Sequence, residues 1–177
     1  MIYPPNEDSY LLEKIIKKYS KNKKVLDIGS GSGIQIMAAI NSGAKSVLAT
    51  DINQEVVKKL NQRKIKAIKS NLFSKVKGYF DLIIFNPPYL PRDKREDKES
   101  SLSTTGGKNG DEIILKFLNN LTDYLAPDGL ALIIVSSLTP KQKILKLLKK
   151  KKLNKKAISE EKLFMETLEV WKITKHL

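Results

Sequence analysis

The stretch Lys24-Val25-Leu26-Asp27-Ile28-Gly29-Ser30-Gly31-Ser32-Gly33 joins a short apolar run to a turn that contains three glycines. Residues 24–28 have the length and apolar character of a buried strand, and the glycines predict a tight turn into a helix over 34–41. Because glycine has no side chain, the backbone of such a turn can approach a bound ligand closely. A nicotinamide-binding turn would carry glycine or alanine where Ile34 stands, so another kind of ligand is expected.

Apolar strands alternate with amphipathic helices along the rest of the chain. Further strands are predicted at 46–51, 66–69, 80–85, 130–135, 155–159 and 168–174. Helices are predicted from a cap at Asp8 or Ser9 to residue 19, around 56–60, over 111–125 and from 140 onward. This alternation is typical of an α/β domain whose mainly parallel sheet is covered by helices on both faces. The length fits one domain, spanning residues 1–177, and the unpatterned residues 90–109 are predicted to be a lid or binding loop, or disordered.

Polar side chains follow the predicted strands at their carboxyl ends, where ligands bind in such folds. The carboxylate of Asp51 can accept hydrogen bonds from both hydroxyls of a ribose. Asp27 can bind an amino group directly or through water, and Asn71 can accept a hydrogen bond from the amino group of adenine. Ile52 and Leu72 supply apolar faces. Singly, these residues also fit helix caps and turns; together they predict a pocket for an adenosyl ligand that carries an amino acid, lined by the turn glycines Gly29, Gly31 and Gly33.

A second motif, Asn86-Pro87-Pro88-Tyr89, follows the apolar run at 82–85. The two prolines restrict φ and remove two backbone donors, so the carbonyl groups point outward instead of joining a ladder. The side-chain oxygen of Asn86 and the carbonyl oxygen of Pro87 can then accept both hydrogens of a planar NH2 group. Tyr89 adds a ring that can stack on a flat amide or base. The alternative interpretation is a proline-rich turn that only ends a strand.

The composition excludes several classes of site. The chain has no cysteine, which rules out a thiolate nucleophile and a cysteine zinc site. The single histidine, His176, stands next to the last residue, where a solvated tail is expected rather than a ligand or base. No apolar run approaches the length of a membrane span, and the first residues lack the regions of a signal peptide. A cytoplasmic location without membrane contact is therefore expected.

Lysine dominates the formal charge of +14. Such an excess attracts polyanions, which makes RNA or the ribosome a candidate partner. Only Arg63, Arg92 and Arg95 can make forked contacts with phosphate or guanine, and a lysine-rich composition is also typical of thermophilic or compositionally biased proteins. RNA contact near residues 149–152 and a merely solvated helix end therefore both stay open.

With these motifs, the sequence resembles the class I S-adenosylmethionine-dependent methyltransferases over essentially its whole length. The Asn-Pro-Pro-Tyr tetrapeptide narrows the resemblance to enzymes that methylate exocyclic amines or amides. Further matches resemble the HemK-like glutamine methyltransferases of translation release factors, in their compact archaeal and eukaryotic form. Two features depart from that pattern, since Asn71 replaces the usual aspartate and an aromatic residue before the double glycine is absent. The matching residues are Tyr3, Pro5, Glu7, Asp8, Ser9, Gly106, Gly107, Gly110, Glu166, Leu168 and Val170.

The resemblance implies a three-layer Rossmann-like methyltransferase fold with a mostly parallel, seven-stranded sheet. It implies S-adenosylmethionine as the methyl donor, S-adenosylhomocysteine as the product, and no metal. The implied cofactor contacts are those of the adenosyl pocket together with Ser9 and Asn86. The opening segment, with Tyr3, Pro5 and Glu7, would close over the substrate beside Tyr89. The implied catalytic residues are Asn86, Pro87, Pro88 and Tyr89.

The expected activity is therefore methylation of a glutamine side-chain amide in the Gly-Gly-Gln loop of a translation release factor. In relatives a small zinc-binding activator protein pairs along the third strand, here residues 66–69, whose lysines also disfavour strand pairing. Two other functions stay open. One is methylation of RNA or DNA amino groups, and the other is a non-catalytic RNA-binding or scaffold subunit with the same fold.

Overall fold

Strands and helices alternate in the computed structural model, which describes residues 4–89 and 105–176. Tyr3 and most of the loop predicted over 90–109 lie outside the described residues. The described helices are α1 (Glu7–Tyr19), α2 (Ile34–Asn41), α3 (Gln54–Gln62), α4 (Glu112–Leu121) and α5 (Lys141–Lys150). The described strands are β1 (Lys24–Ile28), β2 (Ser46–Asp51), β3 (Ala67–Lys69), β4 (Phe80–Phe85), β5 (Leu125–Ser136), β6 (Leu153–Lys162) and β7 (Thr167–Lys175). None of these described helices combines the length and the apolar character needed to cross a lipid bilayer.

The described strands form one sheet in the order β3-β2-β1-β4-β5-β7-β6. The strands from β3 to β5 in this order run parallel, whereas β7 runs antiparallel to both β5 and β6. Asp27 in β1 pairs in register with Ala49 on one side and with Ile84 on the other, so the carboxyl ends of three strands meet at one edge. The predicted fold, a mostly parallel seven-stranded sheet, is confirmed.

Alternate residues of the central strands pack against opposite faces of the sheet. In β4, Ile83 and Phe85 pack in one apolar cluster with residues of α4 and α5, whereas Leu82 and Ile84 pack in a second cluster with residues of α1 and α2. Side chains alternate along a strand, so a strand covered on both faces is apolar at every position. This double burial explains the continuous apolar runs of the sequence. It also holds the ends of the central strands rigidly in place.

The first helix begins earlier than predicted. The sequence suggested Asp8 or Ser9 as the N-cap, whereas α1 begins at Glu7 with Asn6 at the N-cap position, where it makes no side-chain capping bond. Asp8 and Ser9 lie in the first turn instead and are buried. The Asp8 carboxylate accepts the backbone N–H of Ser9 at 2.6 Å. Acidic residues in a first turn stabilise a helix through its dipole, so capping by Asp8 or Ser9 is not needed.

The boundary between α4 and β5 also differs from the prediction. A helix over 111–125 followed by a strand from 130 was expected, but α4 ends at Leu121 and β5 already begins at Leu125. A tight turn between them is closed by a hydrogen bond from Tyr124 N to the Leu121 carbonyl at 3.1 Å. The early part of β5 contains Pro127 and coincides with a register shift against β4 between Phe80 and Leu82. Proline is tolerated in a strand at such an irregularity. The prediction of a turn from Pro127 and Gly129 was therefore wrong, because both residues lie within β5.

Candidate active site

A cavity of about 680 Å³ opens at the carboxyl ends of β1, β2, β3 and β4. This volume lies within the range of small-molecule sites. The glycine turn, the residues that follow β2 and β3, and the 86–89 corner all contribute to its wall. The structure therefore brings together most of the residues that the sequence singled out for a ligand. Those that line the cavity are Ser9, Gly29, Gly31, Asp51, Ile52, Asn71, Leu72, Asn86, Pro87, Pro88 and Tyr89.

The glycine turn is fixed to the neighbouring strand β2. The backbone N–H of Gly29 donates to the Thr50 carbonyl at 2.8 Å, and that of Gly31 donates to the Asp51 carboxylate at 2.9 Å. Gly33 has φ +84°, and a Cβ there would lie only 2.7 Å from the side chain of Leu60. Gly33 does not line the cavity, so its requirement for glycine comes from backbone conformation and from packing against α3.

Asp51 is held at the end of β2 by two backbone N–H groups. One carboxylate oxygen accepts from Gly31 at 2.9 Å, and the other accepts from Asn53 at 2.8 Å. The side chain is mostly buried but lines the cavity. Each carboxylate oxygen has two lone pairs, so both oxygens can accept one further hydrogen bond from a ligand. The arrangement suits a pair of neighbouring hydroxyl groups.

Asp27 lies near the end of β1 and is buried, with 1% of its surface exposed. Burial raises the pKa of its carboxyl from 3.8 to about 7; a hydrogen bond from the Ser30 side chain lowers the pKa, and the negative charge of Asp51 raises it. The oxygen Oδ2 has no hydrogen-bond partner among the described residues. Asp27 does not itself line the cavity. Direct contact with a ligand therefore requires a donor that reaches behind the turn, or a bridging water.

The pKa of Asp27 predicts how the stability of the ligand-free protein depends on pH. The folded protein holds this proton up to about pH 7, whereas an unfolded chain releases it near pH 3.8. The folded state therefore binds more protons between these values, so stability falls as the pH rises through this window. Asp27→Asn removes this loss. We expect its melting temperature at pH 8 to exceed that of the wild type by several degrees, with a smaller difference at pH 4, in calorimetric scans. If Asp27→Asn and the wild type melted at the same temperature at pH 4 and again at pH 8, the raised pKa of Asp27 would be contradicted.

Gln35 is a cavity residue that sequence analysis missed. Its amide Nε2 donates to the Ser9 carbonyl at 3.1 Å, and its Oε1 has no partner among the described residues. The side chain is 4% exposed and, like Ser9 and Asp8, it lines the cavity. A signal was present, because Gln35 is the one polar residue between Ile34 and Ile40, on a helix start that follows the glycine turn. A buried polar side chain at such a place needs a partner.

A second wall of the cavity is built by the residues that follow β3. Ser70 Oγ donates to the Leu72 carbonyl at 2.8 Å, and the backbone of Leu72 has φ +48°, in the left-handed region. Asn71 is exposed at the rim, and Ile52 across from it after β2 is 48% exposed. Apolar side chains on two strand ends with an amide at the rim suit a flat heterocycle.

The Asn86 to Tyr89 corner forms a third part of the wall. The carboxamide oxygen of Asn86 is buried and has no hydrogen-bond partner among the described residues. Leaving such an acceptor unpaired destabilises a protein by about 1–3 kcal/mol, so a bound donor is expected to satisfy it. Pro87 is buried, and Tyr89 is half-buried against the apolar cluster that includes residues of α1. Below the corner, the ring of Phe85 packs on that of Phe117 with centroids 4.7 Å apart.

Some predicted site residues lie elsewhere, and other residues join the site. Pro5 and Glu7 are described but do not line the cavity, and Tyr3 is outside the described residues. Ile113 and Lys116 of α4 do line it, although the sequence placed them only in a helix. Their approach depends on how α4 packs beside β4, which no local pattern indicates. Within the part of the chain that the structure describes, no cluster of carboxylates or histidine could hold a metal ion.

The chain is similar to a known protein family and to individual members of it. The family described as methyltransferase small domain matches residues 7–165. A Methanocaldococcus jannaschii protein named as a protein N5-glutamine methyltransferase is 42% identical over 156 residues, which cover 84% of this chain and 79% of the relative. The human methyltransferase HEMK2 is 29% identical in an alignment that covers 98% of this chain and 90% of the relative.

A solved structure is similar along the same length. It is the E. cuniculi Mtq2–Trm112 complex, responsible for the methylation of the translation termination factor eRF1. The TM-score is 0.78 with 25% sequence identity, and the match covers 98% of each chain. These matches confirm the predicted family. The chain therefore belongs to the methyltransferase small domain family and, within it, to the compact HemK-like glutamine methyltransferases.

Proposed function

We propose that this methyltransferase uses S-adenosylmethionine to methylate the side-chain amide nitrogen of a glutamine in the Gly-Gly-Gln loop of a translation release factor. The observation that carries the proposal is the buried, unpaired carboxamide oxygen of Asn86 in the cavity wall. A primary amide has an NH2 group that can satisfy this oxygen. The named activities of the M. jannaschii and E. cuniculi relatives support the same substrate class.

The residues present fit S-adenosylmethionine. Asp27 Oδ2 in β1 and Gln35 Oε1 in α2 are buried acceptors that have no hydrogen-bond partner among the described residues. The amino group of a ligand can supply N–H donors to such acceptors. Asp51 has the lone pairs for ribose hydroxyls, and the Ile52 and Asn71 rim suits adenine. When bound, S-adenosylmethionine supplies an electrophilic methyl group on a sulfonium. The fit supports the predicted cofactor, with S-adenosylhomocysteine as the product.

The corner activates and orients the glutamine amide. An amide nitrogen is a weak nucleophile because its lone pair is delocalised into the carbonyl group. Acceptance of its two hydrogens by Asn86 Oδ1 and by the Pro87 carbonyl raises the electron density on nitrogen and fixes the plane of the amide. One of these hydrogens leaves as a proton to solvent when the nitrogen gains the methyl group, so the product is a neutral N-methyl amide. Tyr89 provides a ring against one face of that plane. The rate then comes from positioning and from fixed dipoles rather than from a strong base.

The α4 side of the cavity contributes to substrate recognition. Lys116 is exposed, and Ile113 is half-buried beside the corner. An ammonium and an apolar side chain at the mouth can contact the backbone carbonyls and the small side chains of a glycine-rich loop. Contacts of Tyr3, Pro5 and Glu7 with the same substrate remain predictions.

A methyl-transfer assay tests the proposed substrate. Purified enzyme, labelled S-adenosylmethionine and a recombinant release factor should give a product whose Gly-Gly-Gln peptide gains one methyl group on glutamine by mass spectrometry. The matched control is the same release factor with that glutamine replaced by asparagine, which should stay unlabelled. Label that appears instead in total RNA or DNA, with none in the release factor, would contradict the proposal and favour nucleic-acid amino methylation.

We also propose a small zinc-binding activator along β3, in the cytoplasm where release factors act. β3 is one of the two edge strands of the described sheet and has only three residues, whereas β6 forms the other edge. An edge strand presents unpaired backbone groups that another chain can pair with. The E. cuniculi relative is held in a complex with Trm112, which supports a partner protein. The exposed Lys69 within β3 calls for an acidic group on the activator.

A further inference from the structure

The lysines cluster at the end of the sheet opposite the cavity, where the parallel strands begin. Lys24 starts β1, Lys45 directly precedes β2, and Lys66 directly precedes β3. Neighbouring strand starts are tied together there, since Lys45 N donates to the Lys23 carbonyl at 2.8 Å. At the same end of the sheet, the start of β6 and the end of β7 are joined by a hydrogen bond from His176 N to the Lys152 carbonyl at 2.8 Å. We call this surface the basic edge; its exposed lysines are Lys23, Lys24, Lys45, Lys66, Lys77 and Lys152.

The charge of the basic edge is poorly neutralised within the described residues. None of the described ion pairs involves one of its lysines. The carboxylates at this end are those of Asp81, Asp123 and Asp128, and Asp81 accepts the backbone N–H of Lys24 at 2.8 Å. A compositional bias toward lysine would raise the number of lysines at both ends of the sheet. The cavity wall contains two lysines, Lys69 and Lys116, whereas acidic side chains gather toward that end, at Glu7, Asp8, Asp51, Glu55, Glu112 and Glu166.

An exposed aromatic ring stands among these lysines. Tyr79 directly precedes β4 and is 62% exposed. Both sequence neighbours of Tyr79 lie close to the Lys24 ammonium: its Nζ is 4.7 Å from the centroid of the Phe80 ring, and a Cβ at Gly78 would be 3.5 Å from it. A ring beside ammonium groups offers stacking for an unpaired base next to charges for phosphates. An anionic membrane surface would instead require a row of inserted apolar side chains, whereas charged side chains predominate here.

We propose that the basic edge binds single-stranded or looped RNA, with its lysines on phosphates and Tyr79 stacked on a base. Seven strands about 4.8 Å apart give the edge a length of roughly 29 Å, enough for several nucleotides. The edge lies at the other end of the sheet from the cavity. RNA and a protein substrate can therefore bind together, and the inference does not depend on the proposed function.

The test measures binding of the full chain to a fluorescein-labelled, single-stranded RNA oligonucleotide by fluorescence anisotropy at several salt concentrations. The charge variant replaces Lys45, Lys66 and Lys77 by glutamine. Its control makes the same change at three exposed lysines away from the edge: Lys58, Lys143 and Lys162. The plot of log affinity against log salt has a negative slope, and loss of three phosphate contacts should make that slope less steep by about 2. Binding should also become at least tenfold weaker. The control variant should bind like the wild type.

Tyr79→Ala separates stacking from charge. We expect about tenfold weaker RNA binding with an unchanged salt slope, because stacking contributes without displacing counterions. Melting temperatures should stay near that of the wild type in all variants, since the replaced side chains are exposed. Equal loss in the two lysine variants would overturn the proposal. So would wild-type binding to vesicles containing phosphatidylserine that matches or exceeds its binding to RNA.

Discussion

Asn86→Ala is expected to lower kcat for methyl transfer by about 10³-fold while leaving the affinity for S-adenosylmethionine nearly unchanged. Loss of one oriented polar group at a reacting centre lowers kcat by about 10²–10³-fold in other enzymes. Here the same change also removes one of the two groups that fix the amide plane, which places the expectation at the upper end. Calorimetry with S-adenosylmethionine and a single-turnover assay measure the two quantities separately.

Stability provides an independent reading of the same variant. The Asn86 oxygen is buried and unpaired in the described structure, so its removal should leave the melting temperature unchanged or slightly higher. Asn120→Ala is the matched control, because Asn120 is exposed and its side-chain amide donates to the Lys116 carbonyl at the surface of α4. It should keep normal turnover. An Asn86→Ala enzyme that retains near-normal kcat would show that the corner does not act on the amide.

The strand ends were predictable because two strong local patterns coincide there. The apolar runs of β1 and β4 are buried on both faces, and a glycine at 29 and a proline at 87 end these two patterns sharply. The parallel sheet then forces Asp51 and Asn86 to one edge without any knowledge of their distance. The assignment of Asp51, Asn71 and Asn86 to one cavity needed only the order of elements along the chain.

Other features depended on contacts that no local pattern contains. Gln35 reaches the cavity because its amide bonds the Ser9 carbonyl, across 26 positions of sequence, and this contact sets the start of α1 against α2. The position of Asp27 behind the turn follows from the way the glycine backbone bonds β2. The early start of β5 depends on pairing of Leu125 with Phe80. Tertiary packing overrode the turn signal of Pro127 in that case.

The double glycine shows how a sequence motif obtains its meaning from such a contact. Gly106 is buried, and its carbonyl accepts the N–H of the cavity residue Ile113 at 3.1 Å. A Cβ at Gly106 would lie 2.8 Å from the Pro88 carbonyl oxygen and closer still to that of Gly110. Both obstacles are backbone atoms, which cannot rotate away. Because Gly106 has no side chain, its backbone can bond Ile113 of α4 and still lie against the Pro88 carbonyl of the corner.

Gly106→Ala is accordingly expected to lower kcat by about 10²-fold, because a misplacement near 1 Å at a reacting group has an effect of that size. It should also lower the free energy of unfolding by about 1–3 kcal/mol through overpacking. Gly129→Ala is the control: its Cβ would meet the Phe80 carbonyl at the same 2.8 Å, but at the start of the sheet, far from the corner. Denaturant unfolding should give comparable losses for both variants, while turnover per folded molecule should fall only for Gly106→Ala. Equal turnover in the two would mean that the double glycine serves stability alone.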